Sequence, residues 1–394
     1  MDYIKITLKP GKEDSFHRFH PWVFSGAIYR FEKQPEEGDI VEVTDHQGNF
    51  IGIGQYQIGS IAVRILTFKP EEINEQFYFK RLQEAYNVRL SLGLLNGEYN
   101  NTCRLVHGEG DNLPGLIIDL YNKTAVMQAH TPGMHYARHQ IAQALKSVLG
   151  NAIDNIYYKS ETTLPYKAEL DAENEYLLGG DAPNIATENG LKFYVDWVRG
   201  QKTGFFVDQR ENRALLERYA HGRSVLNMFC YTGGFSFYAM RGNAKLVHSV
   251  DSSSKAIDLT CKNVELNFPG DNRHQAFAED AFKFLDTMGD QYDLIILDPP
   301  AFAKHKKVLN NALQGYRKLN AKAFEKIRPG GILFTFSCSQ VVSKENFRLA
   351  VFSAAAQSGR NVRILHQLTQ PADDPVNIYH PEGEYLKGLV LYVE

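Results

Sequence analysis

Cysteine is scarce in this chain, and the few that occur are badly placed for metal or redox work. There are four in 394 residues: Cys103, Cys230, Cys261 and Cys338. None forms a C-x-x-C pair, so neither a zinc site nor a redox dithiol is expected, and no metal is called for. Long apolar runs are missing too. Nothing approaches the roughly 20 residues of a membrane helix, and Met1-Asp2-Tyr3-Ile4-Lys5-Ile6 lacks the apolar core of a signal peptide. The expected setting is cytoplasmic, off the membrane, with thiols reduced. An excess of one charge is also lacking: the formal net charge of −3 does not mark the molecule as a whole as a nucleic-acid binder. Buried, small and hydrophobic is the ordinary reading of Cys103, Cys230 and Cys261.

What is present is a globular composition, 43% hydrophobic and 23% charged, on a chain long enough for two or three domains. Residues 1–70 read as a small all-β unit. Val41 and Val43 alternate with Glu42 and Thr44, a turn follows at Gln47-Gly48-Asn49, and Ile51 and Ile53 alternate with glycines, which is a hairpin pattern. Ile61–Leu66 adds a strand, and short strands rich in glycine suggest a compact barrel. Residues 71–187 read as a middle α+β domain. Tyr78, Leu82 and Ala85 have helical spacing after Pro70. Leu116–Leu120 and Ala125–Ala129 read as paired strands, a helix spans about 134–149, and Ile156–Tyr158 is a strand. Gly179-Gly180-Asp181-Ala182-Pro183 punctuates the boundary. From 188 to 394 strands alternate with helices. The strands are Ser224–Phe229, Leu246–Val250, Tyr292–Leu297, Gly331–Phe336 and Leu389–Val393. That rhythm predicts an α/β, Rossmann-like, mostly parallel sheet covered by helices on both faces.

Two of these strands end in short polar strings. Asp298-Pro299-Pro300-Ala301-Phe302 follows Leu297, and Ser337-Cys338-Ser339 follows Phe336. The helix expected over Leu309–Arg328 makes the connection a strand–helix–strand crossover. Such a crossover places the two strands side by side, about 5 Å apart, with both tips on one edge. Ligands bind at that edge of an open α/β sheet. An acid and a thiol facing one crevice suit chemistry on a planar ring. Residues 301–330 carry Lys304, Lys306, Lys307, Arg317, Lys318, Lys322, Lys326 and Arg328 against Glu325 alone. This is where a phosphate backbone would run, although a solvated helix face would look the same.

The first α/β strand ends in Asn227-Met228-Phe229-Cys230-Tyr231-Thr232-Gly233-Gly234. This is not G-x-G-x-x-G, but the glycine pair lets a ligand approach the backbone. The second strand ends at Asp251, about where an acid takes ribose hydroxyls in such folds. Asp280 follows Ala276-Phe277-Ala278-Glu279 and can sit near an adenine. A nucleoside is implied and a pyrophosphate cradle is not. S-adenosylmethionine meets both conditions, because it carries a zwitterionic amino-acid tail in place of phosphates.

Several strings together resemble a known family, the PUA-domain large-subunit (23S) rRNA cytosine-C5 methyltransferases. They are Gly200–Arg213, Asn227–Phe235, Asp251, Asp298–Phe302, Gly315–Asn320, Phe336–Ser339 and Pro381–Lys387. Leu8-Lys9-Pro10-Gly11 and His20–Gly26 are similar to that family's PUA opening. The likeness runs over almost the whole chain. It implies an N-terminal PUA domain that binds RNA, a middle α+β domain and a methyltransferase domain. S-adenosylmethionine would be the donor and ribosomal RNA the substrate. It also brings Gln209 and Arg210 to the cofactor site beside Phe229, Tyr231, Thr232, Gly233, Gly234, Asp251, Asp280 and Asp298. Ala301 departs from the pattern, since relatives often carry lysine there.

In the mechanism the resemblance implies, the Cys338 thiolate adds to carbon 6 of a cytosine, so that carbon 5 becomes enamine-like and takes the methyl group. Asp298 holds the N3 and amino edge. Pro299 stiffens the tip, Phe302 can stack on the base, and Lys304, Lys306 and Lys307 meet the RNA. The target base must leave its stack to arrive. Methylation of an exocyclic base nitrogen is one alternative, and a non-catalytic RNA-binding ribosome-assembly protein is another. A homodimer is left open.

Overall fold

The computed structural model describes residues 3–165, 170, 172–180, 182–303 and 305–394. Lys304, and Asp181 in the expected boundary, lie outside the described residues. The chain divides into two compact units. The first comprises Met1–Gly190, Val195–Val207 and Ala372–Gly383; the second comprises Leu191–Tyr194, Asp208–Pro371 and Glu384–Glu394. Two stretches that the linear three-part division gives to its last part, 195–207 and 372–383, thus group with the first unit.

The first unit holds two sheets. Six strands, in the order Trp22–Phe24, Ile61–Thr67, Phe50–Tyr56, Ile40–Thr44, Ile4–Leu8 and Ile28–Phe31, form the N-terminal sheet. Its core is Ile6, Leu8, Val23, Val41, Val43, Val63 and Ile65. The expected hairpin is there: Ile40–Thr44 pairs antiparallel with Phe50–Tyr56. The Asp45 side chain fastens its turn by accepting from the Gln47 and Asn49 amides at 2.9 and 2.8 Å. The second sheet has five strands in the order Glu175–Leu178, Asn155–Tyr158, Thr124–Ala129, Leu116–Tyr121 and Thr102–His107. The helices Glu75–Ser91 and Arg138–Leu149 cover it. The helix expected over 134–149 is in fact two, Pro132–Tyr136 and Arg138–Leu149. The return of 372–383 rests on charge. Arg104 binds Asp119 and Asp374, both at 2.8 Å, and its amide donates to Asp373 Oδ2 at 2.9 Å.

The second unit is built on seven strands: β1 (Ser224–Met228), β2 (Leu246–Asp251), β3 (His274–Ala278), β4 (Leu294–Leu297), β5 (Gly331–Ser337), β6 (Val362–Leu368) and β7 (Lys387–Val393). Their order is β3-β2-β1-β4-β5-β7-β6. The first five are parallel, and β7 runs antiparallel between β5 and β6. The helices are α1 (Arg210–Tyr219), α2 (Gly234–Arg241), α3 (Ser254–Asn267), α4 (Ala281–Thr287), α5 (Leu309–Lys326) and α6 (Lys344–Ser358). β1, β4 and β5 are buried along their whole length, which is why they read as plain apolar runs. Two apolar clusters flank the sheet. One contains Leu226, Met228, Ile295, Leu319, Phe324 and Leu333; the other contains Val225, Phe235, Val247, Ile296, Phe334 and Val390. No helix among the described residues is long and apolar enough to cross a membrane.

The expected crossover is present. β4 and β5 are adjacent and parallel, with Leu297 opposite Thr335, so Asp298 and Cys338 leave the same edge of the sheet. Cys103 and Cys230 are buried as expected, but Cys261 is exposed. It lies on α3, whose buried positions are Ala256, Ile257, Thr260, Asn263 and Val264; residue 261 falls just beyond the edge of that buried stripe.

Candidate active site

Between β1 and α2 the chain makes a strained turn. Phe229, Tyr231 and Gly233 have φ of 59°, 48° and 85°. Positive φ is uncommon outside glycine, costs of order 1–3 kcal/mol where the surroundings must impose it, and gathers at ligand sites. Here α3 and β2 impose it. The Tyr231 carbonyl accepts from Thr260 Oγ1 at 2.9 Å, and the Thr232 carbonyl accepts from Asn263 Nδ2 at 2.9 Å. The Cys230 amide donates to the Val250 carbonyl at 3.0 Å. At Gly233 a Cβ would stand 2.7 Å from Thr260 Cγ2, so both the space and the dihedral require glycine. Gly234 then opens α2. Sequence reasoning missed Thr260 and Asn263, because nothing in a helix repeat marks which polar residues brace a distant loop.

Asp251 ends β2 half-buried. Its Oδ2 accepts from the Tyr231 amide at 3.0 Å and its Oδ1 from the Ser253 amide at 2.9 Å. Each oxygen keeps a further acceptor position, which suits a ribose diol. Asp280 lies past the neighbouring tip of β3. It is exposed and caps α4, accepting from the Lys283 amide at 3.0 Å. The Glu279 amide donates to the Asp251 carbonyl at 2.9 Å, tying the two acid-bearing tips together. Thr232 Oγ1 is buried and has no hydrogen-bond partner among the described residues. The loop therefore combines a turn that only glycine can make against Thr260, a spare buried hydroxyl and a pre-oriented carboxylate. These features fit a nucleoside cofactor with a zwitterionic tail.

Asp298 sits at the β4 tip with partial solvent access, and its Oδ2 accepts from Gln209 Nε2 at 3.1 Å. Gln209 is in turn held by Asn212 Nδ2, 2.6 Å from its Oε1. Burial pushes the Asp298 carboxyl up from 3.8 to about 7; the charge of Asp208 adds to this, while the Gln209 bond and the Arg213 charge oppose it. Asp208 is fixed by the Tyr385 hydroxyl at 2.7 Å. Gln209 thus acts on Asp298, and Arg210 is the buried residue that follows it at the start of α1.

Cys338 stands one residue beyond β5, half-buried, with Sγ 4.0 Å from the Pro299 carbonyl. The acid tip and the thiol tip converge on Pro299, itself buried. Around them Tyr316 of α5 reaches Ser337 Oγ at 2.9 Å and Ser339 Oγ at 3.2 Å, and the Ala303 amide donates to Ser339 Oγ at 3.3 Å. Phe302 packs its ring on Tyr316, centroids 4.7 Å apart, and against Gly315, where a Cβ would stand 3.0 Å from it. Lys306 and Lys307 are exposed in the short turn Lys306–Val308. Elsewhere in the basic run, Lys322 is paired with Asp286 and Arg328 donates to the Asp290 carbonyl.

A strained glycine loop with tip acids, beside an acid and a thiol on the same sheet edge, fits a group-transfer site that works from a nucleoside cofactor. Residues 158–378 match the description S-adenosylmethionine-dependent methyltransferase, and residues 6–68 match a PUA-like domain. The chain belongs to this family of S-adenosylmethionine-dependent methyltransferases, and S-adenosylmethionine is its cofactor. A relative from Tolumonas auensis, named Ribosomal RNA large subunit methyltransferase I, is 41% identical over 98% of each chain. An Escherichia coli protein of the same name is 37% identical over 99% of each. Among solved structures, SMU.776, assigned as a methyltransferase and complexed with SAH, shares the fold at a TM-score of 0.85 and 24% identity, covering 99% of this chain and 100% of its own.

Proposed function

We propose that this protein methylates carbon 5 of a cytosine in large-subunit ribosomal RNA, with Cys338 as the nucleophile. The observation that carries this reading is the convergence of Asp298 and Cys338 on Pro299, with the Cys338 sulfur 4.0 Å from the Pro299 carbonyl. The names of the full-length relatives supply the RNA class. Bound S-adenosylmethionine supplies an electrophilic methyl group on sulfonium. The chain's own residues supply the rest. The Cys338 thiolate adds to carbon 6, and the ring's electron pair moves toward carbon 5. An Asp298 carboxyl that ionises near 7 still carries a proton on a sizeable fraction of molecules at neutral pH. The protonated acid donates to the cytosine N3, and its other oxygen accepts from the amino group. Methyl transfer, release of the carbon-5 proton to solvent water as the thiolate departs, and return of the N3 proton to Asp298 complete the cycle.

Phe229, Tyr231, Thr232, Gly233, Gly234, Asp251 and Asp280 are assigned to the cofactor, with Gln209 and Arg210 supporting the Asp298 side. Pro299, Phe302, Lys306 and Lys307 are assigned to the RNA. Phe302 uses part of its ring on Tyr316 and Gly315, which limits it to an edge or single-face contact with the base. The test is to incubate the protein with isotope-labelled donor and unmodified ribosomal RNA and to map the product nucleotide. Label on carbon 5 of a cytosine is the expected result. Label on an exocyclic nitrogen would move the chemistry from Cys338 to Asp298, and no label would leave an RNA-binding protein.

A further inference from the structure

Lys387 opens β7 directly opposite Ser337 in register. It is only 6% exposed, a rare state for lysine. Its Nζ donates to the Ser339 carbonyl at 2.6 Å, so the amine is anchored at the residue that follows Cys338. Among the described residues no carboxylate lies within ion-pair distance of it. The charged groups facing it are Lys344 and Glu384, which pair with each other at 2.6 Å, and Cys338 itself; the Tyr316 hydroxyl lies beyond Ser339 Oγ at 3.2 Å. Burial pulls the Lys387 ammonium down to about 8; Cys338 raises it, Lys344 lowers it and Glu384 raises it. A free thiol titrates near 8.5, and a cation beside a thiol lowers that value.

We propose that Lys387 takes the proton of Cys338 and holds the sulfur as a thiolate, which makes it the residue that activates the nucleophile. From the neutral amine form of Lys387, the S–H bond breaks and an N–H bond forms on Nζ. The sulfur keeps the electron pair, which then bonds carbon 6 of the base. When the C–S bond breaks at the end of the cycle the pair returns to sulfur beside the same ammonium, and no further reactant is needed. Lys387 is a positioning residue here, acting through Cys338, and the inference rests on the reading of Cys338 as nucleophile.

The experiment is alkylation of Cys338 by iodoacetamide across pH 5–10 in the full chain without RNA, followed by mass spectrometry of the Cys338 peptide so that exposed Cys261 does not interfere. The wild-type midpoint should fall below 8.5. Lys387→Met should raise it by about one pH unit or more, the usual effect of losing an adjacent opposite charge, and slow alkylation at pH 7 roughly tenfold. Lys387→Arg, which keeps the cation, should keep the low midpoint. Calorimetric binding of S-adenosylmethionine reports whether each variant is folded. An unchanged midpoint in folded Lys387→Met overturns the proposal; should that variant not fold, a wild-type midpoint at or above 8.5 overturns it just as well. Turnover is not needed for this readout. If Cys338→Ala still methylates RNA, the reading of Cys338 fails on its own, whatever the alkylation profile shows.

Discussion

Replacing Asp298 with asparagine should stabilise the folded protein at alkaline pH while destroying its activity. The carboxyl is displaced from 3.8 to about 7, with burial as the leading cause. At about 1.36 kcal/mol per pH unit this disfavours the folded anion by roughly 4 kcal/mol. The sign follows from proton binding. The folded state holds this proton where the unfolded chain has already released it, between about pH 4 and 7. The stability it contributes is therefore fully present below about pH 4 and is lost as pH rises through about 7. Asparagine carries no charge, and its side-chain oxygen can still accept from Gln209. Calorimetric unfolding of wild type and Asp298→Asn at pH 5, 6, 7 and 8 measures the difference. The variant should gain on wild type from pH 5 to 7 and level off by pH 8, by roughly 3 kcal/mol over the series, with methyl transfer lost throughout. A difference that does not vary with pH would refute the claim that Asp298 is held in an environment hostile to its own charge.

Three further outcomes are expected. Asp251→Ala removes a carboxylate held by two backbone amides and should weaken S-adenosylmethionine binding by about 1–3 kcal/mol in calorimetry, with the melting temperature of the ligand-free protein little changed. Gly233→Ala combines φ of 85° with a Cβ 2.7 Å from Thr260; it should destabilise by about 1–3 kcal/mol and abolish cofactor binding, which equilibrium dialysis would show. Lys306→Ala with Lys307→Ala should lower the slope of log affinity against log salt by about 0.7 per lost contact on single-stranded RNA; an unaltered slope in filter binding would make the turn a solvated surface only.

The parts of the second unit that were legible in the sequence are those buried on both faces. β1, β4 and β5 read directly because every residue along them is buried. β3 and β6 did not, because they are the edge strands: His274–Ala278 and Val362–Leu368 are only partly buried and mix polar with apolar residues. The tip residues Asp251, Asp298 and Cys338 were legible because strand ends are marked by the change from apolar to polar. The bracing of the cofactor loop was not, since Thr260, Asn263 and the positive φ of Phe229 and Tyr231 depend on how α3 packs. The return of residues 372–383 to the first unit was hidden as well. It depends on Arg104 meeting Asp374 across 270 positions, a pairing with no local signal. Lys387 lay within a string that matched the family, yet its place opposite Ser337 exists only once β7 is inserted antiparallel beside β5.

The central claim is a transient bond between Cys338 and carbon 6 of the target cytosine. RNA carrying 5-fluorocytosine tests it most directly, because fluorine at carbon 5 cannot leave as a proton and the adduct cannot resolve after methyl transfer. With wild-type protein and S-adenosylmethionine, a denaturing gel should show a protein–RNA band of reduced mobility. Cys338→Ala should show none while still binding S-adenosylmethionine with normal affinity. Normal turnover by Cys338→Ala, or a persistent adduct formed without the thiol, would contradict the account.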